Sequence, residues 1–313
     1  MHAVYVGGLL VVSAWLIWDR RDEVRELTAN ARPLLLGAAL VVGFVQLALN
    51  AAFWRAALAA SGERVPFARV LRAGMVSLPG RYLPGSVWYA VGRGALLRRG
   101  GVPLRAVGTA AVLETGLSIT VGVSLGSLLL VSSTDASGRP LLLAVVAVAA
   151  GAACSPPSVN LLLAVVARRR GGTAARLSWR AFATLIAWTA VFWVGAATMF
   201  SLYLHAFPGI ELDSIAEVAG SFMIAWVLGF LAVFAPQGIG VFEVTVATLV
   251  TSEPAAGVAL VVAGYRLLTL VRDVVAVLAA TLTRSDGEEQ ELSARRERPL
   301  AAPAPGDGHR GGT

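Results

Sequence analysis

Residues 230–250 read FLAVFAPQGIGVFEVTVATLV, an apolar run interrupted in its middle by Pro236, Gly238 and Gly240. Proline and glycine at that spacing break a helix, so two apolar arms, Ala219 to Ala235 and Val241 to Val250, meet at a turn instead of forming one rod. At about 1.5 Å per residue, the returning arm is too short to cross a hydrocarbon core about 30 Å thick. A second region has the same design: LPGRYLPG, Leu78 to Gly85, lies between two moderately apolar stretches, Pro66 to Ser77 and Ser86 to Leu97. Non-helical backbone at membrane depth persists only where protein or a wet cavity satisfies its polar groups. The turns at Pro79, Gly80, Pro84 and Gly85 and at Pro236, Gly238 and Gly240 therefore mark interior sites.

The surrounding sequence is that of a membrane protein. Of 313 residues, 57% are hydrophobic and 14% charged, with mean hydropathy +0.72, whereas a soluble domain carries about 25% charged residues. Outside the two interrupted regions, six apolar stretches are long enough to cross: His2 to Trp18, Leu34 to Ala60, Leu104 to Val131, Leu141 to Ala167, Leu177 to Phe207 and Ala255 to Thr283. The first lacks a positive leader and a small-residue cleavage site, so it reads as a retained span. The expected fold is an all-α integral membrane domain over residues 1–283, with six full spans and two re-entrant hairpins. A polar tail rich in Gly, Pro, Arg and Glu occupies residues 284–313 and is expected to be disordered.

Every one of the 26 basic residues is Arg. Without Lys there is no P-loop phosphate clamp and no Schiff-base chemistry. The net charge of +7 belongs to topology and anionic lipid, not to nucleic acid. Cys154 is the only cysteine, and His2, His205 and His309 show no ligand spacing, so neither a disulfide nor a metal site is expected, and no cofactor is called for. With the N-terminus inside, 19 Arg fall on cytoplasmic segments against five outside, and Arg266 and Arg272 lie within the last span. The positive-inside rule thus favours both termini in the cytoplasm, and this holds only if each Pro/Gly region returns to the side it left. Opposed hairpins of that kind build the site of inverted-repeat transporters, although no sequence identity relates the two regions here. For Pro66 to Leu97 a second reading stays open, an amphipathic pair lying on the cytoplasmic surface.

The stretch GRYLPGSVWYAVGRGALLRRGGVPLRAV, followed by Glu114 in an apolar helix, together with PQGIGVFEV and GYRLLTL, resembles the lysylphosphatidylglycerol synthase transmembrane domain family of flippase-like proteins. The resemblance covers roughly Leu34 to Thr283 and implies a bacterial inner-membrane protein that handles phosphate-bearing lipids. Full-length synthases of that family carry a soluble aminoacyl-transferase domain after the membrane part, whereas only a short low-complexity segment follows Thr283 here. Thr115 follows Glu114 where many relatives have Arg.

Charges within a bilayer cost about 2.5 to 3.5 kcal/mol on insertion scales and so require a reason. The expected substrate contacts are Arg81 and Gln237 in the two turns, Arg93, Glu114, Glu243 and Arg266. Arg suits a lipid phosphate through paired donors. The alternatives are structural: Arg81 and Arg93 as interfacial cations, Glu243 as a cap on the helix after PQGIG, and Arg266 as the ion-pair partner of Glu114 or Glu243. Tyr82 and Trp88 read as interface anchors. The function these features support is translocation of a phospholipid or polyprenyl-phosphate-type lipid. The alternative is a non-transporting accessory subunit partnered with an envelope biosynthesis enzyme or with a second copy of itself.

Overall fold

The computed structural model describes residues 25, 29–83, 88–133, 139–153, 155–169, 177–208, 212, 214–232, 238–250 and 255–283. His2 to Trp18, Pro84, Gly85, Cys154, Pro236, Gln237 and the tail lie outside them. The described residues form ten α-helices and one 3-10 turn, with no strand among them. These are α1 (Pro33–Ala60), α2 (Phe67–Val76), the 3-10 turn (Leu78–Tyr82), α3 (Trp88–Arg99), α4 (Leu104–Ser133) and α5 (Arg139–Ala153). They continue with α6 (Pro156–Arg169), α7 (Trp179–Leu204), α8 (Ile215–Leu231), α9 (Val241–Val250) and α10 (Ala255–Leu282).

Three helices, α1, α4 and α7, are long and apolar enough to cross a membrane, and α5 with α6 makes a fourth if the bent pair is one span. The stretch Leu141 to Ala167, read from the sequence as a span, is thus broken into two helices. The chain bends by 59° where Pro156 and Pro157 follow Ser155. Neither proline offers an N–H to the preceding turn, and the residue before a proline is pushed out of the helical region. α10 has the length of a span but carries Arg266 near its middle and Arg272 and Asp273 in its second half.

Local chemistry sets the other ends. Pro33 starts α1 where its missing N–H costs nothing, and the N–H of Arg32 donates to the Ala206 carbonyl at 2.8 Å, tying that start to the end of α7. Ser178 caps α7 by accepting from the Ala181 N–H. Ser214 does the same for α8 from Glu217, with Glu217 in the first turn, so α8 starts before the expected Ala219.

α1 and α7 pack along one another, and α4 packs on α8. At that second crossing a Cβ added to Gly220 would lie 2.9 Å from the Gly126 carbonyl oxygen, so the two backbones touch directly, as small residues permit between membrane helices. An aromatic cluster joins α7 through α10: Phe200 stacks on Phe222, and Phe242 and Tyr265 meet both edge-on. The outward faces carry Val41, Val45, Leu128, Val194, Leu267 and Val271, whereas Arg93, Arg272, Asp273, Gln46 and Thr189 are buried. Apolar residues outside and charges inside are what a lipid environment selects.

Candidate functional site

Each Pro/Gly region is a pair of short helices held on α10. In the first, α2 and α3 flank the 3-10 turn. A Cβ on Gly80 would lie 2.7 Å from the Tyr89 nitrogen and 2.8 Å from the Trp88 carbonyl carbon, so only glycine lets the turn close onto α3. In the second, Gly238 and Gly240 have φ of +68° and +87°, the left-handed region that glycine enters without penalty. Gly238 also lies against the backbone of Gly229 on α8, which folds α9 back onto that helix. Pro79 opens the first turn, at the start of the 3-10 segment.

The charged residues gather into two clusters. In the first, Arg93 on α3 is 2% exposed. Its guanidinium stacks over Trp54 at 4.6 Å and Tyr89 at 4.4 Å. Its Nη2 donates to Asn50 Oδ1 at 2.7 Å, and its Nη1 lies 3.5 Å from Glu114 Oε1. Asn50 also donates to Glu114 Oε1 at 2.6 Å, so it bridges acid and base. Gly74 on α2 makes the room, since a Cβ there would sit 3.1 Å from Arg93 Nη2. Arg81 stacks on the same Tyr89 ring at 4.3 Å. A cavity of about 10 Å³, the size of one water, borders Asn50, Glu114, Ser118, Trp188 and Thr189.

In the second cluster Glu243 does two jobs at once. Its Oε2 accepts from the Gly240 N–H at 2.7 Å, capping α9, and its Oε1 accepts from Arg266 Nε on α10. The cap and the ion pair, alternatives in the sequence, coexist because a carboxylate has two oxygens and the turn puts each within reach of a donor. Further along α10, Arg272 donates through Nε and Nη2 to Asp273 Oδ1 at 2.8 and 2.6 Å. Asp273 Oδ2 accepts from the Tyr82 hydroxyl at 3.1 Å. Tyr82 is thus a strut between the first turn and α10. Arg93 does not reach to the headgroups: Gly74 and the aromatic faces hold it inside.

The sequence profile of the lysylphosphatidylglycerol synthase TM region matches residues 5–276. The chain belongs to that family. No curated protein matches it. A membrane protein with a lipid-related role follows from membership in the lysylphosphatidylglycerol synthase TM region family together with the apolar helices. Of the residues expected to contact substrate, this family member brings Arg81, Arg93 and Glu114 together at the first turn and Glu243 and Arg266 together at the second. Gln237 is outside the described residues.

Sequence reasoning missed Asn50, Trp54 and Gly74. Asn50 had a signal, because Gln46, Asn50 and Trp54 recur every fourth residue and so share one face of an otherwise apolar helix. Gly74 had none, since its purpose is the guanidinium of a residue 19 positions away.

The second cluster yields a direct expectation. Arg266→Gln removes the cation from Glu243 and leaves it, among the described residues, the Gly240 N–H as hydrogen-bond donor. Breaking a buried pair typically costs about 3 to 5 kcal/mol, and the partial exposure of both groups puts the loss near the low end. A melting temperature in detergent that falls for Arg266→Gln and recovers in Arg266→Gln with Glu243→Gln identifies a structural pair. No fall at all would show that the pair does not support the fold.

Proposed function

We propose that the chain moves a phosphate-bearing lipid between the leaflets of a bacterial inner membrane, with the headgroup phosphate received at Arg93. The observation that carries this reading is the state of Arg93: it is buried, yet its Nε and Nη1 have no hydrogen-bond acceptor among the described residues. Neither makes a hydrogen bond, although Glu114 lies 3.5 Å from Nη1, and being on different edges of the guanidinium each could donate to one anionic oxygen; an unfilled buried donor costs about 1 to 3 kcal/mol, which a ligand would recover. The phosphate would displace Glu114 from Nη1. Glu114 would not be stranded, because Asn50 still donates to it and the one-water cavity borders it. Arg81, on the same Tyr89 ring, supplies the second positive group, and Glu243 with Arg266 holds the opposing turn closed. Acyl chains would remain in lipid.

In this proposal residues 1–283 form six spans with one hairpin entering from each side, both termini cytoplasmic, and residues 284–313 a cytoplasmic tail. The imbalance of 19 cytoplasmic Arg against five outside supports it. Cysteines placed singly at 135, 169 and 213 in a Cys154→Ala background should label from outside, inside and outside respectively. Labelling of position 213 only from the cytoplasm would reject the paired-hairpin topology.

The activity is tested by reconstituting the purified chain in liposomes that carry a fluorescent phosphatidylglycerol in the inner leaflet and following its appearance outside. Transfer well above that of protein-free vesicles is expected. A wild-type rate equal to the blank removes translocation and leaves the accessory reading.

A further inference from the structure

α1 and α7 are closely packed at one end, where Arg32 bonds to Ala206 and a Cβ on Gly43 would meet Met199 at 3.1 Å. At the other end they flank an open cleft of about 750 Å³, with Phe67 of α2 also lining it. Such a volume falls within the usual range of ligand pockets, about 300 to 1,000 Å³. Ala52, Ala56 and Arg55 line it from α1, and Ala181, Thr184 and Trp188 from α7. The α1 positions, Ala52, Arg55, Ala56, Ala59 and Ala60, recur at spacings of three and four residues along a single face, so the wall is a strip of methyl groups with one guanidinium on it. Arg55 is the only charged residue of the lining, is exposed, and has no ion-pair partner among the described residues. Trp188 lines both this cleft and the one-water cavity at Asn50 and Glu114, so one indole separates the two spaces.

We propose that this cleft is a second lipid site, an entry port that takes one acyl chain of an anionic phospholipid against the alanine wall with its phosphate on Arg55. Trp188 is the partition between the port and the Arg93 site. The inference deepens the translocation reading and rests on it for the word entry, but the site itself stands on the geometry of the cleft. The α1 wall is methyl-lined apart from Arg55 and suits a hydrocarbon chain, while the polar groups of the opposite wall, the Ser178 and Thr184 hydroxyls, are already engaged within α7, Ser178 accepting from the Ala181 N–H and Thr184 donating to the Arg180 carbonyl. The lone cation selects an anionic headgroup over a neutral one, because no carboxylate lines the cleft to compensate it.

The test uses the full chain in nanodiscs with trace phosphatidylglycerol or diacylglycerol bearing a photoactivatable acyl chain, and maps the adducts by peptide mass spectrometry. Phosphatidylglycerol adducts are expected on residues 52–60 and 181–188. Arg55→Gln should lower them about fivefold, the scale of one exposed charge contact, and leave diacylglycerol adducts unchanged. Ala56→Trp and Thr184→Trp fill the cleft from opposite walls, so both should remove the adducts and slow liposome transfer by an order of magnitude. If one of them misfolds, the other and the exposed Arg55→Gln still decide the outcome. Equal adducts from both lipids, insensitive to Arg55→Gln, mean ordinary lipid wetting and overturn the site. Loss of adducts on adding millimolar inorganic phosphate would assign a free anion and overturn the lipid. Transfer unaffected by filling the cleft overturns the entry role while the translocation reading stands. A wild type that transfers nothing, yet keeps Arg55-dependent adducts, removes translocation and supports the site.

Discussion

Arg93→Gln is expected to abolish lipid transfer and to lower stability by about 3 kcal/mol, near the low end of the cost of breaking a buried ion pair. The loss arises because Glu114 keeps only Asn50 as a donor and the faces of Trp54 and Tyr89 lose the cation between them. Adding Glu114→Gln removes the stranded charge, so the double variant should melt near the wild type and still transfer nothing. Arg93→Lys separates the two roles further, since an ammonium keeps the charge but cannot present paired donors in one plane. It should retain most of the stability and little of the transfer. Thermal melting in detergent and transfer in liposomes, measured on the same preparations, decide the matter. Near-normal transfer by Arg93→Gln would remove Arg93 from the lipid path and leave it a structural cation.

The second large effect is expected at Gly238. An alanine there would place its Cβ 2.6 Å from the Gly229 carbonyl carbon, and backbone cannot yield as a flexible side chain does. The left-handed φ adds about 1 to 2 kcal/mol for any L residue. Gly238→Ala should therefore undo the packing of α9 on α8 and, with it, the contact of Glu243 with Arg266. Gly240→Ala bears the φ penalty alone, because among the described residues no atom lies within 4 Å of its added Cβ. The order predicted in yield of folded protein and in melting temperature is wild type, then Gly240→Ala, then Gly238→Ala. Equal behaviour of the two variants would mean that the close approach to Gly229 is not needed.

Much of this was legible in the chain. The two Pro/Gly turns, the helix after PQGIG and the long apolar runs follow from helix-breaking residues in an apolar context, and the described helices fall on them within a few residues. The bend at Pro156 was also written there, in two consecutive prolines, but the apolar character of the run outweighed it in the reading. What could not be read was which charge meets which. Arg266 had two eligible carboxylates, and the choice of Glu243 depends on how α9 folds back onto α8 and α10. The depth of Arg93 depended on Gly74 and Asn50, neighbours far from it in sequence, while nearby Arg98 and Arg99 suggested an interfacial stretch.

The pairing of charges also has an electrical meaning. Glu114, Glu243 and Asp273 each meet one guanidinium, whereas Arg81 faces only an aromatic ring, with no carboxylate beside it among the described residues. The empty site therefore holds one positive charge in excess, and a phosphodiester with a single negative charge brings it to neutrality. A membrane potential does work only on net charge, about 2.3 kcal/mol per elementary charge across 100 mV. For a cargo of that kind, the loaded site would change sides without feeling the potential. If the chain moves lipid as proposed, the site without lipid would feel it, and a potential negative inside would bias that site toward the cytoplasm.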